Sequence, residues 1–366
     1  MLALVLAAAF GASSGQERKP PEFHVGVELI RLDVSVVDRK GKAIAGLAPR
    51  DFTVTEDGRP VELTYFEAIE PDGTLELDPG RGLAQGQPRP GGPPRRIVVL
   101  VDSGPLSPGQ LQRARQAVSG FLVDGTAPGD RVHLVNLSTG RGWGGLIPDD
   151  RARLLAVARA LDRRGSWWDG PWEREPFSER AEIEAVANAP SEGWTQERFL
   201  SIFARTAGLL GTLEELMLEL GGVEGRKALV LVSPGFPTDR DLEARLQRVA
   251  SLARESATAV YFLDAAGLDG LTPEPGRPLV PVFETVWQRS GGAQDLAEAT
   301  GGFTFRLANS LAPALERVGS EMRTYYVLGY VPPRRADGRF REIEVRVGVR
   351  GLTARTKQGY VAGPRR

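Results

Sequence analysis

The sequence predicts an α/β protein, a doubly wound and mostly parallel sheet inserted into a β-sandwich that both chain ends form. Three observations carry that prediction. The middle of the chain alternates continuous apolar runs such as "RIVVLVD" with stretches of helical periodicity. That is the pattern of parallel strands buried on both faces and linked by helices. Both ends instead alternate with period two, as in "HVGVELIRLDVSVVD" and "GRFREIEVRVGV", the mark of half-buried strands. Finally, 366 residues at 41% hydrophobic content suffice for two or three domains with real cores.

The chain opens on "MLALVLAAAFGASSG" followed by the polar "QERKPPEF". An apolar stretch and then small residues have the shape of a secretory signal peptide, so residues 1–20 are expected to be removed on export. A periplasmic or extracellular location follows. The stretch is shorter than the roughly 20 residues a spanning helix needs, and no integral membrane segment is expected in the mature chain. Residues 24–68 read as the first part of the sandwich. "DFTVTEDGRPVELTYFEAI" predicts two strands around Asp57-Gly58, because glycine supplies the positive φ of a hairpin turn. Residues 69–95 lose periodicity to glycine and proline and read as a flexible linker.

From Arg96 to Thr324 strands and helices alternate. Ser107 is a predicted N-cap with Pro108 in the first helical position, and Leu111, Ala114, Ala117, Val118 and Phe121 share one face of the helix that follows. "RVHLVNLS" is a strand and "RGWGGLI" a short edge strand; Asp149 or Asp150 caps the next helix. Residues 163–204 interrupt the rhythm with an insertion holding Trp167, Trp168, Trp172 and Trp194. Clustered tryptophans suit either a recognition patch or a small satellite core. A helix and "ALVLVS", a helix and "AVYFLD", and a helix expected to break at Gly291-Gly292 complete the unit. A last strand and helix follow. Residues 325–362 return to β character with three expected strands and form the second part of the sandwich.

Composition removes several functions. The formal net charge of −1 gives no excess of cations to neutralise phosphates, so nucleic acid is not expected as a partner. With no cysteine there are no disulfides, thiolate metal sites or cysteine nucleophiles. The two histidines, His24 and His133, exclude a histidine-rich metal site, and His133 reads as a structural strand residue. The G-x-S-x-G match at Gly11–Gly15 falls in the expected leader and not in a strand-to-helix elbow, and no phosphate-binding loop or glycosidase acid pair is present. No catalytic residue is assigned.

The order of motifs resembles a von Willebrand factor type A domain, a Rossmann-like fold. The segment 24–362, linker and insertion aside, is similar to the bacterial VWFA-related domain family. The residues that carry this are "LDVSVVDRKGKAIAGLAPRDFTVTEDG", "VDSGPLSPGQLQRARQAVSGFL", "PGDRVHLV", "GRKALVLVSPGFP", "DLAEATGGFTF" and "YYVLGYVP". The resemblance implies a metal-ion-dependent adhesion site at the carboxyl ends of the strands, built from Asp-x-Ser-x-Ser, a threonine and an aspartate around Mg²⁺.

Asp102 matches the first ligand, but Gly104 and Leu106 stand at the serine positions. Ser103 and Ser107 are one place out of register, and Ser107 is the expected cap. Ser233-Pro234-Gly235 replaces the turn that would carry the third-loop aspartate. Thr195 or Thr206 would serve as the threonine only by chance, and Asp239 or Asp264 would contribute only to a rearranged set. The metal candidates are therefore Asp102, Ser103 and Ser107 in a degenerate site with no cofactor expected, Mg²⁺ being the cation of the rearranged alternative. Asp102, Ser233, Asp264, Trp167 and Trp168 are the candidates for binding a protein partner. The expected function is an exported, non-enzymatic protein-binding module. The alternatives are a metal-dependent adhesion or assembly factor rearranged around Asp102, an unrecognised enzyme, and an envelope structural role.

Overall fold

The computed structural model describes residues 29–70, 73–78, 82–84, 95–161, 196–223, 225–237, 240–267, 282–334 and 336–363. The expected leader, His24, the four tryptophans of the insertion, Thr195 and Asp239 lie outside the described residues. Among those residues the chain is a mixed α/β protein with one mostly parallel six-stranded sheet and two antiparallel sheets.

The amino-terminal part forms β1 (Ile30–Val37), β2 (Phe52–Glu56), β3 (Arg59–Val61), β4 (Leu63–Glu70), β5 (Gly73–Asp78) and β6 (Gly82–Ala84). Ile30, Leu32, Val34 and Val36 of β1 are all buried, as alternation of side chains along a strand requires. Asp57 and Gly58 turn between β2 and β3 with φ of 49° and 74°, the two left-handed residues of a tight hairpin. Two strands, β5 and β6, stand inside the segment read as a linker. Its glycine and proline content hid "GTLELD", which pairs with β4 from Glu70↔Gly73 to Phe66↔Leu77.

The central part contains β7 (Arg96–Val101), β8 (Arg131–Asn136), β9 (Arg141–Leu146), β10 (Lys227–Ser233), β11 (Thr258–Asp264) and β12 (Thr304–Phe305). Its sheet runs β12-β11-β10-β7-β8-β9, parallel except for β9. The helices are α1 (Pro108–Gly120), α2 (Arg151–Ala160), α3 (Gln196–Gly221), α4 (Glu243–Glu255), α5 (Val282–Ala299) and α6 (Ala312–Glu321). Ile97, Val99 and Val101 of β7 enter one core with α1, α2 and α6. Val98 and Leu100 enter a second core with α3, α4 and α5. Both faces of the strand are therefore dry, which explains its continuous apolar run. Each such valine or leucine contributes about 1.5–3 kcal/mol by leaving water.

Three local expectations need correction. Helix α5 runs unbroken through Gly291-Gly292. Glycine at 292 serves close packing, since a Cβ there would lie 2.6 Å from the Phe236 ring. Asp150 precedes α2 without a side-chain cap; its carboxylate accepts instead from the Leu146 N–H at 2.9 Å, fastening the end of β9. The closing strand of the sequence is two strands in different sheets.

The carboxyl-terminal part forms β13 (Tyr325–Tyr330), β14 (Phe340–Val347), β15 (Thr353–Arg355) and β16 (Gly359–Val361). The antiparallel sheets are β15-β1-β13-β4-β5-β6 and β16-β14-β2-β3, so strands from both chain ends enter each. The two sheets bury one cluster that includes Leu32, Phe66 and Tyr326 from the first and Phe52, Val54 and Ile343 from the second. Phe52 and Tyr326 meet with ring centroids 5.0 Å apart, a tilted aromatic contact that adds to burial.

Candidate functional site

The order of the parallel sheet locates the site. The chain steps from β7 to β8 and β9 on one side, then returns to β10, β11 and β12 on the other. The point where the winding reverses lies between β7 and β10, and the crevice outside the carboxyl ends of such strands is where open α/β sheets receive ligands. Asp102 follows β7 at this point, and its N–H continues the ladder to the Val232 carbonyl at 2.9 Å. Ser233 ends β10, and Asp264 ends β11 in register with Ser233.

Asp102 is fully buried, and its Oδ2 belongs to a closed ring of polar contacts. It accepts from Ser233 Oγ at 2.8 Å and from Arg205 Nη1 at 2.6 Å. Arg205 Nη2 donates to the Gly235 carbonyl at 2.6 Å, and the Gly235 N–H donates to Ser233 Oγ at 3.0 Å. The Ser-Pro-Gly turn makes this possible. Gly235 has a φ of 86°, and a Cβ on it would lie 2.6 Å from Ser290 Cβ and 2.9 Å from Phe262 Cζ. Only glycine can both take that backbone and fit there. Asp102 Oδ1 is buried and makes no hydrogen bond.

The neighbouring serines hold the frame. Ser103 is buried, and its Oγ lies 2.8 Å from both Asn136 Oδ1 and Ser138 Oγ, which ties the loop after β7 to the end of β8. Ser107 caps α1 in a reciprocal box: its Oγ accepts from the Gln110 N–H at 3.3 Å, and its own N–H donates to Gln110 Oε1 at 2.9 Å. Asp264 Oδ1 accepts from the Ala266 N–H at 2.9 Å, anchoring its own loop. The Thr206 hydroxyl turns back onto its helix, donating to the Ile202 carbonyl at 2.8 Å.

These contacts bear on the implied Mg²⁺. That ion asks for near-octahedral oxygens at about 2.0–2.1 Å. Here the ring contains one carboxylate, whose Oδ2 already holds a guanidinium while its buried Oδ1 makes no hydrogen bond. Among the described residues no group of three histidine, cysteine, aspartate or glutamate side chains is arranged to hold a metal ion. With the Arg205 guanidinium in place, this donor set does not fit a divalent cation.

Sequence reasoning found Asp102, Ser233 and Asp264 at one edge but missed Arg205, Gly235, Asn136 and Ser138. Arg205 had a signal: it is the one cation in the apolar stretch "FLSIFARTAGLLGTL". His133 is buried in β8, and burial followed by the charges of Arg131 and Arg96 lowers its pKa to about 4. It is a neutral strand residue, remote from the ring in role.

A cleft of about 270 Å³ opens at the opposite end of the parallel sheet, lined in part by Arg31, Asp33, Arg226, Arg254, Lys357 and Tyr360. Arg226 is buried where the two parts of the molecule meet. It donates to Ser35 Oγ at 2.7 Å and to the Tyr261 hydroxyl at 3.2 Å, and lies over the Tyr325 ring at 4.7 Å. Burial pushes the Tyr261 hydroxyl pKa up against the opposing pull of Arg226. These contacts join β1 and β13 to the sheet, and none of the candidate residues lies among them.

No family model matches the chain, and no curated protein matches it. Among solved structures the chain is similar to the TFIIH p34 N-terminal domain, at 12% identity and a TM-score of 0.27, over 62% of this chain and 97% of that one. That likeness is too slight to carry a function. No helix among the described residues is long and apolar enough to cross a membrane.

Proposed function

We propose that this chain is an exported, non-enzymatic protein-binding module of the von Willebrand type A kind. In this reading the α/β part is inserted into a sandwich made by the two chain ends. A protein partner is met at the carboxyl edge of the parallel sheet. One observation carries the reading: the Asp102–Ser233–Gly235–Arg205 ring lies at the switch point of the winding, where such folds receive ligands. Its groups are held by one another, which suits a rigid recognition edge better than a reaction needing a mobile proton or nucleophile. The apolar residues at the chain start support export.

The test is capture by the immobilised chain from the exported fraction of its own cell, with and without EDTA. It is repeated with Pro105→Arg in the exposed loop after Asp102. The reading expects a captured protein that survives chelation and is lost with Pro105→Arg. Capture abolished by EDTA would favour a metal-dependent adhesion factor. Capture indifferent to Pro105→Arg would move the partner to another face.

A further inference from the structure

We infer that the Arg205 guanidinium is the resident cation of the carboxyl edge. It occupies the place of a divalent ion at Asp102 and makes the edge independent of divalent ions. The inference deepens the proposed function by stating how the site is regulated, and it is read without any partner.

Three observations converge. Arg205 Nη1 lies 2.6 Å from Asp102 Oδ2, where the carboxylate is wholly buried and the arginine side chain is 15% exposed. The second terminal nitrogen reaches the Gly235 carbonyl at 2.6 Å, so the guanidinium spans from the end of β7 to the turn after β10. A metal at this point would have to link the same two loops. The serine that would otherwise complete a ligand shell, Ser233, already donates to Asp102 Oδ2 and accepts from Gly235 N–H. A planar cation with fixed donors satisfies two acceptors at set distances, which a point charge on a flexible stem does not. A divalent ion brought to Oδ2 would meet that positive charge and would have to eject it from a partly buried, charge-assisted pair.

The position of Arg205 in the fold agrees with this role. It lies in the first half of α3, between the buried Phe203 and Ala207 of the second core. Packing of those two residues against the sheet sets where the arginine stem begins. The cation is therefore carried by a helix anchored in the core, not by a surface loop.

The experiment uses the full chain, with Mn²⁺ as the probe read by electron paramagnetic resonance and thermal melting with Mn²⁺ or EDTA. The natural chain is expected to take up no Mn²⁺ at the edge and to melt identically in both. Arg205→Ala, which leaves Asp102 buried without its counter-ion, is expected to melt about 10 °C lower. It should bind one Mn²⁺ per chain and recover most of the loss. Saturable binding of one Mn²⁺ by the natural chain overturns the inference. So does an Arg205→Ala chain that melts unchanged, or one whose loss Mn²⁺ does not restore. Should Arg205→Ala not fold, Arg205→Lys decides. That variant keeps the charge and should still exclude Mn²⁺, so uptake by it overturns the inference and exclusion supports it.

Discussion

The two ends of the parallel sheet both bury arginine–carboxylate contacts, yet they differ in what those contacts connect. At the amino end, Glu321 of α6 is fully buried and accepts from Arg317 at 3.0 Å and from Arg355 of β15. Arg226 adds bonds to Ser35 of β1 and to the Glu321 carbonyl. Arg317 and Arg355 also flank the Phe303 ring, at 4.1 and 5.1 Å from its centroid. Arg355 and Arg226 tie the antiparallel part to the parallel part, while the Arg317–Glu321 pair lies within α6. At the carboxyl end, the Asp102–Arg205 pair closes a ring within the parallel part alone and keeps the guanidinium partly at the surface. Buried charge by itself therefore does not mark a site. The distinction is whether the pair joins the two parts, as Arg355–Glu321 does, or closes within one, as Asp102–Arg205 does.

The largest expected effect tests the joint. Glu321→Ala removes a fully buried carboxylate and leaves the partly buried Arg317 and Arg355 without their shared partner. Urea unfolding should show a loss of about 3–5 kcal/mol. A loss under about 1 kcal/mol would reduce the joint to a surface-type bridge. Next comes the edge. Asp102→Asn keeps the shape and bonding to Ser233 but removes the charge facing Arg205. A loss of about 2–3 kcal/mol is expected, the worth of hydrogen bonds to a charged group. A loss matching that of Glu321→Ala would erase the difference between the two ends.

His133 shows a third answer to the burial problem, loss of the charge itself. Its pKa falls from 6.5 to about 4 on folding. The unfolded chain thus takes up the proton first as pH drops. The stabilisation is complete above the unfolded value and is lost as pH falls from about 6.5 toward 4. Between pH 7.5 and 5 this amounts to about 2 kcal/mol. Unfolding at the two pH values should show that slope, and His133→Gln should flatten it. A slope unchanged in the variant would assign the acid sensitivity to other groups. The smallest effect is the exposed control. Arg248 pairs with Glu214 with its own side chain 66% exposed, and Arg248→Ala should cost less than about 1 kcal/mol by the same urea measurement.

Much of the architecture was legible because it is written in local pattern. The continuous run from Ile97 to Val101 declared a strand buried on both faces, and the two cores on its two sides are the result. Ser107 and Pro108 announced the start of α1. Asp57-Gly58 announced its hairpin. The failures share one cause. Strands β5 and β6, the unbroken course of α5 and the division of the last strand between two sheets each depend on a distant partner. Gly292 reads as a breaker until Phe236 is seen lying against it.

The sequence alone determined the alternation of strands and helices, the burial of β7, the presence of Asp102 at its end, and that Gly104, Leu106 and the Ser233-Pro234-Gly235 turn follow no Asp-x-Ser-x-Ser and aspartate pattern. Those are properties of neighbouring residues, carried by period, capping and residue type. Only the tertiary structure decided what balances the Asp102 charge. Arg205 lies 103 residues from Asp102 and Gly235 lies 30 from Arg205. Winding the chain on both sides of β7 brings all three to one edge. No local spacing encodes such a contact, because it is set by which strands become neighbours and by the core that fixes α3 against them.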